Sequence, residues 1–134
     1  MRFDTKISIA VRADLAQWQK LNVTAFLSAG IAAANPDIIG KPYEDRAGQV
    51  YLELFRQPVL IFGCTPGELT DAHSRALARD LPMAIYTMDM FSTDNDDDNR
   101  AVVRAAAELD LAGLALYGSR NVVDKVFKGT SLHP

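Results

Sequence analysis

The feature that most constrains the fold is the stretch Lys6 to Gly30, which reads KISIAVRADLAQWQKLNVTAFLSAG. Residues 6 to 11 alternate between branched apolar and small side chains, and this period of two predicts a β-strand that ends at Arg12. A polar linker follows, and then a segment rich in small residues whose apolar spacing predicts a helix ending near Ala34. A strand that leads into a helix indicates an α/β protein, and such proteins commonly bind ligands at their strand ends.

Strands and helices continue to alternate along the rest of the chain. The clearest helix start is Thr65-Pro66-Gly67-Glu68, because threonine caps the helix, proline fits its first position and glutamate its third. Apolar runs and helical periods predict strands at 58–63, 83–87 and 112–117 and helices at 66–80, 99–109 and 120–128. The alternation predicts one α/β domain over residues 1–134, a three-layer α/β/α sandwich with a mixed sheet of about four strands. A fifth strand depends on whether residues 50–54 join that sheet.

Residues 35 to 49 contain two prolines and two glycines with few apolar side chains. This composition predicts a loop of about fifteen residues. Loops of that length in compact domains are often lids or binding loops, so this segment is a second place to expect function.

The composition argues against several classes of function. With 49% hydrophobic and 23% charged residues, the chain is typical of a soluble globular protein. The formal net charge of −3 and the lack of a dense basic patch argue against a nucleic-acid-binding protein, so tRNA is not an expected partner. The single cysteine, Cys64, excludes an internal disulfide and indicates a reducing compartment. No signal peptide or long apolar run is apparent, which predicts a cytoplasmic protein without a membrane partner.

Four residues around the first predicted strand end are candidates for a binding site. Arg12 has the planar guanidinium that holds a phosphate or carboxylate, or it is a structural arginine that ties down the predicted loop or pairs with Asp14. Lys20 and Asn22 would orient a substrate from the linker, although Asn22 also fits the N-cap of a helix that otherwise begins before Trp18. Trp18 itself is either a binding platform or a packing anchor.

Three further features have both a chemical and a structural interpretation. Ser119 opens the last predicted helix, where free amides receive an anion, or it is simply the N-cap. Cys64 precedes a helix that would lower the pKa of its thiol, but Glu68 adds negative charge in the same turn and neither histidine is well placed as a partner, which favours an inert thiol. The acidic run Asp94–Asp98 lacks the glycine and glutamate of a calcium-binding loop, which favours a role at the start of the next helix. Zinc, P-loop and dinucleotide motifs are absent from the sequence, so neither a metal nor a cofactor is predicted.

The segment Val11-Arg12-Ala13-Asp14-Leu15 resembles the end of the first strand in type II peptidyl-tRNA hydrolases, and Val122–Val126 is similar to their last helix. The resemblance implies that family's fold, a mixed sheet of about four strands with helices on both faces. It also implies that Lys20 stands in for the catalytic lysine and that Asp89 lies near the place of the catalytic aspartate. The family's glycine-lysine-glycine-lysine turn, with a glutamine and a histidine after it, is replaced here by QWQKLN at residues 17–22, so the activity does not follow from the fold.

The stretches Trp18–Asn22 and Gln57–Leu60 resemble more closely a bacterial family of small uncharacterised proteins, domain of unknown function two thousand, with a similar fold. No activity is established for that family, so this resemblance supplies no reaction.

Three functions are compatible with these features. The first is a diverged hydrolase with a cleft at the end of the first strand, in which Lys20 polarises the substrate and Asp89 orients a water. The second is a non-catalytic protein that binds a small anionic ligand at the same cleft. The third is an interaction module, for example a homodimer, that uses an exposed apolar face.

Overall fold

The computed structural model describes residues 2–134, over which the chain forms seven strands and four α-helices. The strands are β1 (Thr5–Arg12), β2 (Tyr43–Glu44), β3 (Val50–Tyr51), β4 (Val59–Cys64), β5 (Met83–Thr87), β6 (Leu111–Ser119) and β7 (Ser131–Leu132). The helices are α1 (Gln17–Ala34), α2 (Pro66–Ala78), α3 (Asp96–Ala105) and α4 (Arg120–Val126), and two short 3-10 helices lie at Pro36–Ile38 and Met88–Ser92.

Five strands form one mixed sheet in the order β5-β6-β1-β4-β7. β1 is parallel to β4 and antiparallel to β6, which in turn is antiparallel to β5. The ends of β1, β4 and β5, at Arg12, Cys64 and Thr87, therefore lie at one edge of the sheet, here named the carboxyl edge. The fifth strand is β7, which pairs with β4, whereas Val50–Tyr51 pairs with Tyr43–Glu44 in a separate hairpin.

Helices cover both faces of the sheet because β1 alternates as the sequence predicted. Ile7, Ile9 and Val11 point to one face, where they pack with the buried residues of α1. Ala10 points to the other, where α2 and α4 pack. The predicted α/β architecture with a mixed sheet is confirmed, with five strands instead of about four.

Helix α1 begins at Gln17, so Asn22 is not its N-cap. This start agrees with the alternative prediction that the helix begins before Trp18. Its first turn is closed by Gln19, whose Oε1 accepts a hydrogen bond from the N–H of Ala16 at 3.0 Å. The sequence spacing predicts that Leu21 and Ala25 share the inward face of this helix, but both are exposed. Apolar residues lie on nearly every side of the helix, so their spacing does not select a face. The residues that it buries are Val23, Leu27 and Ile31.

Helix α3 was expected at 99–109 and lies at Asp96–Ala105 instead. Asn95 is its N-cap, because Asn95 Oδ1 accepts a hydrogen bond from the N–H of Asp98 at 2.8 Å. The aspartates of its first turn lie at the positive end of the helix, where negative charge is stabilising. None of its residues is buried. Leu109, the predicted last residue of this helix, lies instead in the segment before β6 and packs against the core there.

The contact between α1 and β6 is unusually close at Gly113. A Cβ atom at this position would lie 2.7 Å from Cγ1 of Val23 and 2.8 Å from the carbonyl oxygen of Ala10. Both distances are too short for real atoms, so only glycine allows α1 to approach the sheet this closely.

Replacing Gly113 by alanine is therefore expected to lower the free energy of unfolding by about 1–3 kcal/mol, because the added methyl group pushes α1 away from β6. Urea denaturation of the wild type and the Gly113→Ala variant measures the difference. The matched control is Gly67→Ala in the first turn of α2, where an added Cβ has no neighbour nearer than 4.0 Å. Equal loss of stability in both variants would contradict the packing argument.

The capping box predicted at the start of α2 is present. Thr65 Oγ1 accepts from the N–H of Glu68 at 3.1 Å, and Glu68 Oε1 accepts from the N–H of Thr65 at 2.9 Å. We expect Thr65→Ala to cost about 1 kcal/mol, since one backbone amide loses its partner. Thermal unfolding followed by circular dichroism measures this cost. Thr70→Ala, which removes an exposed hydroxyl within the same helix, is the control and should change stability by much less.

Candidate functional site

The N-terminal half of α1 forms a ridge over the sheet near the carboxyl edge, with one cavity on each flank. Gln17, Lys20 and Thr24 project to the flank above β4, and Trp18, Asn22 and Phe26 to the flank above β5. These two sets alternate along the helix because residues three or four apart share a face. We name the first cavity the lysine groove and the second the aromatic cleft.

The lysine groove has a volume of about 570 Å³. It is lined by Val11, Gln17, Lys20, Leu21, Thr24, Ile61, His133 and Pro134. The backbone N–H of His133 donates to the carbonyl oxygen of Ile61 at 2.8 Å, next to the pairing of β7 with β4. The tail thus closes the groove on the side opposite α1.

A lysine and a histidine face each other in this groove. Lys20 Nζ lies 3.2 Å from Nε2 of His133, and Nδ1 of the same ring lies 2.9 Å from the carbonyl oxygen of Pro134. A lysine ammonium can only donate, so Nε2 accepts and the ring proton is on Nδ1, which donates to Pro134. The arrangement places Nε2 of His133 as an acceptor beside the Lys20 ammonium.

Lys20 takes part in no salt bridge within residues 2–134. The pKa of the Asp14 carboxyl is lowered chiefly by its hydrogen bonds to Arg12, and more weakly by the charge of Lys20. The ammonium of Lys20 therefore interacts with Asp14 only at a distance, without a direct ion pair.

Arg12 differs from Lys20, because its guanidinium is already paired. Its Nε and Nη2 donate to the two carboxylate oxygens of Asp14 at 3.0 and 2.8 Å, and its Nη1 donates to Asp110 at 3.2 Å. The hydrogen bond to Asp14 is the main reason why the pKa of Arg12 is raised. The geometry corresponds to the structural alternative, with Arg12 joining the end of β1 to the start of β6.

The aromatic cleft has a volume of about 410 Å³. It is lined by Trp18, Asn22, Phe26, Tyr86, Met90, Phe91, Thr93, Asp94, Asn95, Asp96 and Asn99. Its floor is Tyr86, whose ring lies 5.6 Å from that of Phe26 and 5.1 Å from that of Phe91 between centroids. Burial raises the pKa of the Tyr86 hydroxyl, which accepts a long hydrogen bond of 3.4 Å from Asn22 Nδ2. Trp18 forms the outer wall in an edge contact with Phe91.

The structure distributes the predicted site residues over three places. Lys20 lines the lysine groove, and Trp18 and Asn22 line the aromatic cleft. Asp89 is exposed in the 3-10 helix after β5 and lines neither cavity. Lys20 and Asp89 therefore share no cavity, and their catalytic pairing stays a prediction. Ser119 lies at the far edge, opposite Thr5 in the register of β1 and β6, away from Arg12 by the length of β1.

Sequence reasoning missed His133 and Tyr86. His133 reaches Lys20 only because β7 pairs with β4 across about 70 residues of chain, and nothing local in the sequence signals that pairing. Tyr86 looks like any residue of a core strand, since its place under the aromatic cleft depends on how α1 crosses the sheet.

Cys64 and the acidic run have the geometry of structural features. Burial, followed by the charge of Glu68, raises the pKa of the Cys64 thiol to about 11, so the reactive thiolate is scarce at neutral pH. In the acidic run, Arg100 pairs with Asp96 and Asp97 at 2.6 and 3.2 Å.

Over the described part of the chain, no three histidine, cysteine or acidic side chains are grouped as metal ligands. None of the helices within residues 2–134 has the length and apolar character needed to cross a bilayer.

The comparisons with known proteins agree with one another. No curated protein matches the chain. Among solved structures, the protein of unknown function Atu0240 from Agrobacterium tumefaciens strain C58 is 44% identical, with a TM-score of 0.97 over 99% of this chain and 100% of that one. The model of the family described as "Protein of unknown function (DUF2000)" matches residues 5–134. The sheet, its flanking helices and both cavities lie within that range, and the chain belongs to the DUF2000 family.

Proposed function

We propose that the protein binds a small anionic molecule, a carboxylate or a phosphate ester, in the lysine groove. The observation that carries the proposal is the position of Lys20, whose ammonium contacts the imidazole of His133 and forms no salt bridge within residues 2–134. One of its three N–H groups points to His133, and the other two remain for a ligand.

The rest of the groove suits a ligand with one charged and one apolar end. Val11, Leu21 and Ile61 supply apolar surface beside the ammonium, and the amide of Gln17 supplies a further polar group. Small-molecule sites typically have this combination of apolar walls and a few directed polar groups. Arg12 is left out of the proposed ligand set because each of its three guanidinium nitrogens already donates to Asp14 or Asp110.

Hydrolysis of an ester is the second candidate function, and the same contact favours it. When the ammonium of Lys20 turns to the developing oxyanion, Nε2 of His133 is left free to accept a proton from water. We further propose that the fold is related to that of type II peptidyl-tRNA hydrolases, a relation supported by the mixed sheet with helices on both faces. In that relation Lys20 takes the place of the catalytic lysine, while His133 would take over the part predicted for Asp89. The substrate that the relation suggests is an ester, and the net charge of −3 argues against a tRNA ester.

The binding proposal predicts that Lys20→Met weakens affinity about ten- to a hundredfold, because a charge-assisted hydrogen bond contributes roughly 1.5–3 kcal/mol. A thermal-shift screen with small carboxylic acids, phosphomonoesters and nucleotides first finds the ligand, and titration calorimetry then measures Kd for both proteins. Lys125→Met is the matched control, since it removes an exposed lysine of α4 that forms no salt bridge in the described chain. Unchanged affinity in Lys20→Met, or the absence of any ligand in the panel, contradicts the proposal.

The hydrolase candidate predicts turnover of simple acyl and aminoacyl esters by the wild type. His133→Gln and Lys20→Met should each lower kcat by at least ~100-fold, because each removes a group that moves a proton or stabilises charge in the transition state. Asp89→Asn should leave kcat unchanged, since Asp89 lies outside the groove. If Asp89→Asn abolishes turnover and His133→Gln does not, the original pair of Lys20 and Asp89 is favoured. If the wild type shows no turnover, the hydrolase is rejected and the binding proposal is judged by its own experiment.

A further inference from the structure

The hairpin of β2 and β3, with the residues that flank it, exposes an unusual amount of apolar surface. We name residues 40–54 the arm. Five of its large apolar side chains are at least half exposed: Tyr43 (51%), Val50 (57%), Tyr51 (53%), Leu52 (84%) and Leu54 (62%). Contiguous apolar surface of this kind on a soluble protein marks a contact with another molecule.

The arm is well ordered by its own hydrogen bonds although nothing covers it. At its base the N–H of Gly40 donates to the carbonyl oxygen of Leu54 at 2.8 Å. At its tip the carboxylate of Asp45 accepts from the N–H of Ala47 at 2.9 Å and from the hydroxyl of Tyr51 at 2.8 Å. A lone two-stranded hairpin in water is at best marginally stable, so this one calls for a surface against which it packs.

The aromatic cleft is the matching surface, because it is concave, has an aromatic floor and outer wall, and is without a cover. Apart from Met90, its remaining lining is polar and consists of Asn22, Thr93, Asp94, Asn95, Asp96 and Asn99. Its wall residues Trp18 and Phe26 are 62% and 53% exposed, and they leave the buried ring of Tyr86 at the floor. A volume of about 410 Å³ is within the range of clefts that receive large side chains or ligands.

The arm and the cleft belong to opposite ends of α1. The cleft lies beside the first half of the helix, whereas the arm begins just after the 3-10 helix that follows its last residue, Ala34. A helix of this length spans about 27 Å, and none of the arm residues lines the cleft. The two surfaces of one chain therefore stay apart, and each is available to another copy.

We propose that the arm of one chain docks into the aromatic cleft of a second copy, and that the reciprocal contact forms a two-fold symmetric dimer. Leu52 enters the cleft as the anchor against Trp18 and Phe26, since an interface is strongest where a large side chain fills a pocket. A two-fold axis makes each contact twice, so one complementary pair of surfaces closes the assembly.

The area reaches what a specific dimer needs. Val50, Leu52 and Leu54, which are two residues apart along the arm, and Trp18 and Phe26 of the cleft wall each expose roughly 100 Å², which gives about 500 Å² per chain and about 1,000 Å² in total. A specific interface buries at least about 1,000 Å². The lysine groove is on the other flank of α1, so the dimer leaves it open and this proposal does not depend on the proposed ligand.

Light scattering coupled to size exclusion tests the proposal. The wild type should elute with twice the 14.7 kDa mass of one chain. Leu52→Glu and Trp18→Glu should each give monomers, because each places a charge in the apolar contact. Leu77→Glu is the control, since Leu77 is also 57% exposed but lies on α2 in the opposite layer, and this variant should remain a dimer. Circular dichroism shows whether each variant is folded. A monomeric wild type, or a dimeric Leu52→Glu, overturns the dimer, and a dimeric Trp18→Glu overturns the seating of the arm in the cleft.

Disulfide trapping tests the seating without disrupting the interface. The native Cys64 is 1% exposed and does not interfere. An equimolar mixture of Leu52→Cys and Phe26→Cys chains should form a disulfide-linked pair on mild oxidation. A mixture of Leu52→Cys and Leu77→Cys chains should form far less, and equal yields from the two mixtures contradict the proposal.

Discussion

The close contact of α1 with the β1–β6 pair at Gly113 determines where the other features of the molecule lie. With no side chain at Gly113, Val23 and Leu27 of α1 reach the sheet directly over the backbone of Gly113 itself. The helix is then low enough for its two flanks to form the walls of cavities over the neighbouring strands. Lys20 faces β4 on one flank, and Trp18 faces β5 on the other. A helix held farther from the sheet would separate both flanks from their opposite walls.

The two basic residues near the carboxyl edge have different electrostatic situations. Arg12 is mostly buried and forms a two-point pair with Asp14, which lowers the pKa of that carboxyl and engages Nε and Nη2 of the guanidinium. Lys20 lies on the next element, out of hydrogen-bond reach of Asp14 but within its field. Arg12 therefore fixes the end of β1 through its two carboxylate partners. The ammonium of Lys20, in contrast, has His133 as its polar side-chain contact within residues 2–134.

Much of the fold could be predicted from sequence because its signals are local. The capping box at Thr65 and Glu68 involves residues three apart, and the alternation of residues 6–11 is a property of one strand. The boundaries of α3 were wrong because the apolar spacing to Leu109 continued past the end of the helix, while the Asn95 cap lay before the acidic run. The buried face of α1 was also wrong, since a helix that is apolar nearly all round carries no dominant period. Residues 35–49 were predicted as a loop, but part of this segment forms the hairpin of the arm. The sequence did not indicate the hairpin because its strands are only two residues long, too short to give an alternating pattern.

The sequence by itself determined the α/β class and the position of β1, because these follow from side-chain periodicity and composition. It also identified Lys20 and Trp18 as residues of interest, without showing that they face different cavities. Only the tertiary structure brought His133 to Lys20, since that contact depends on β7 pairing with β4 through backbone hydrogen bonds that any residues can form. Only the tertiary structure likewise showed an uncovered arm and an uncovered cleft at opposite ends of one helix. Exposure depends on all the segments that pack around a residue, and a local sequence pattern contains no information about them.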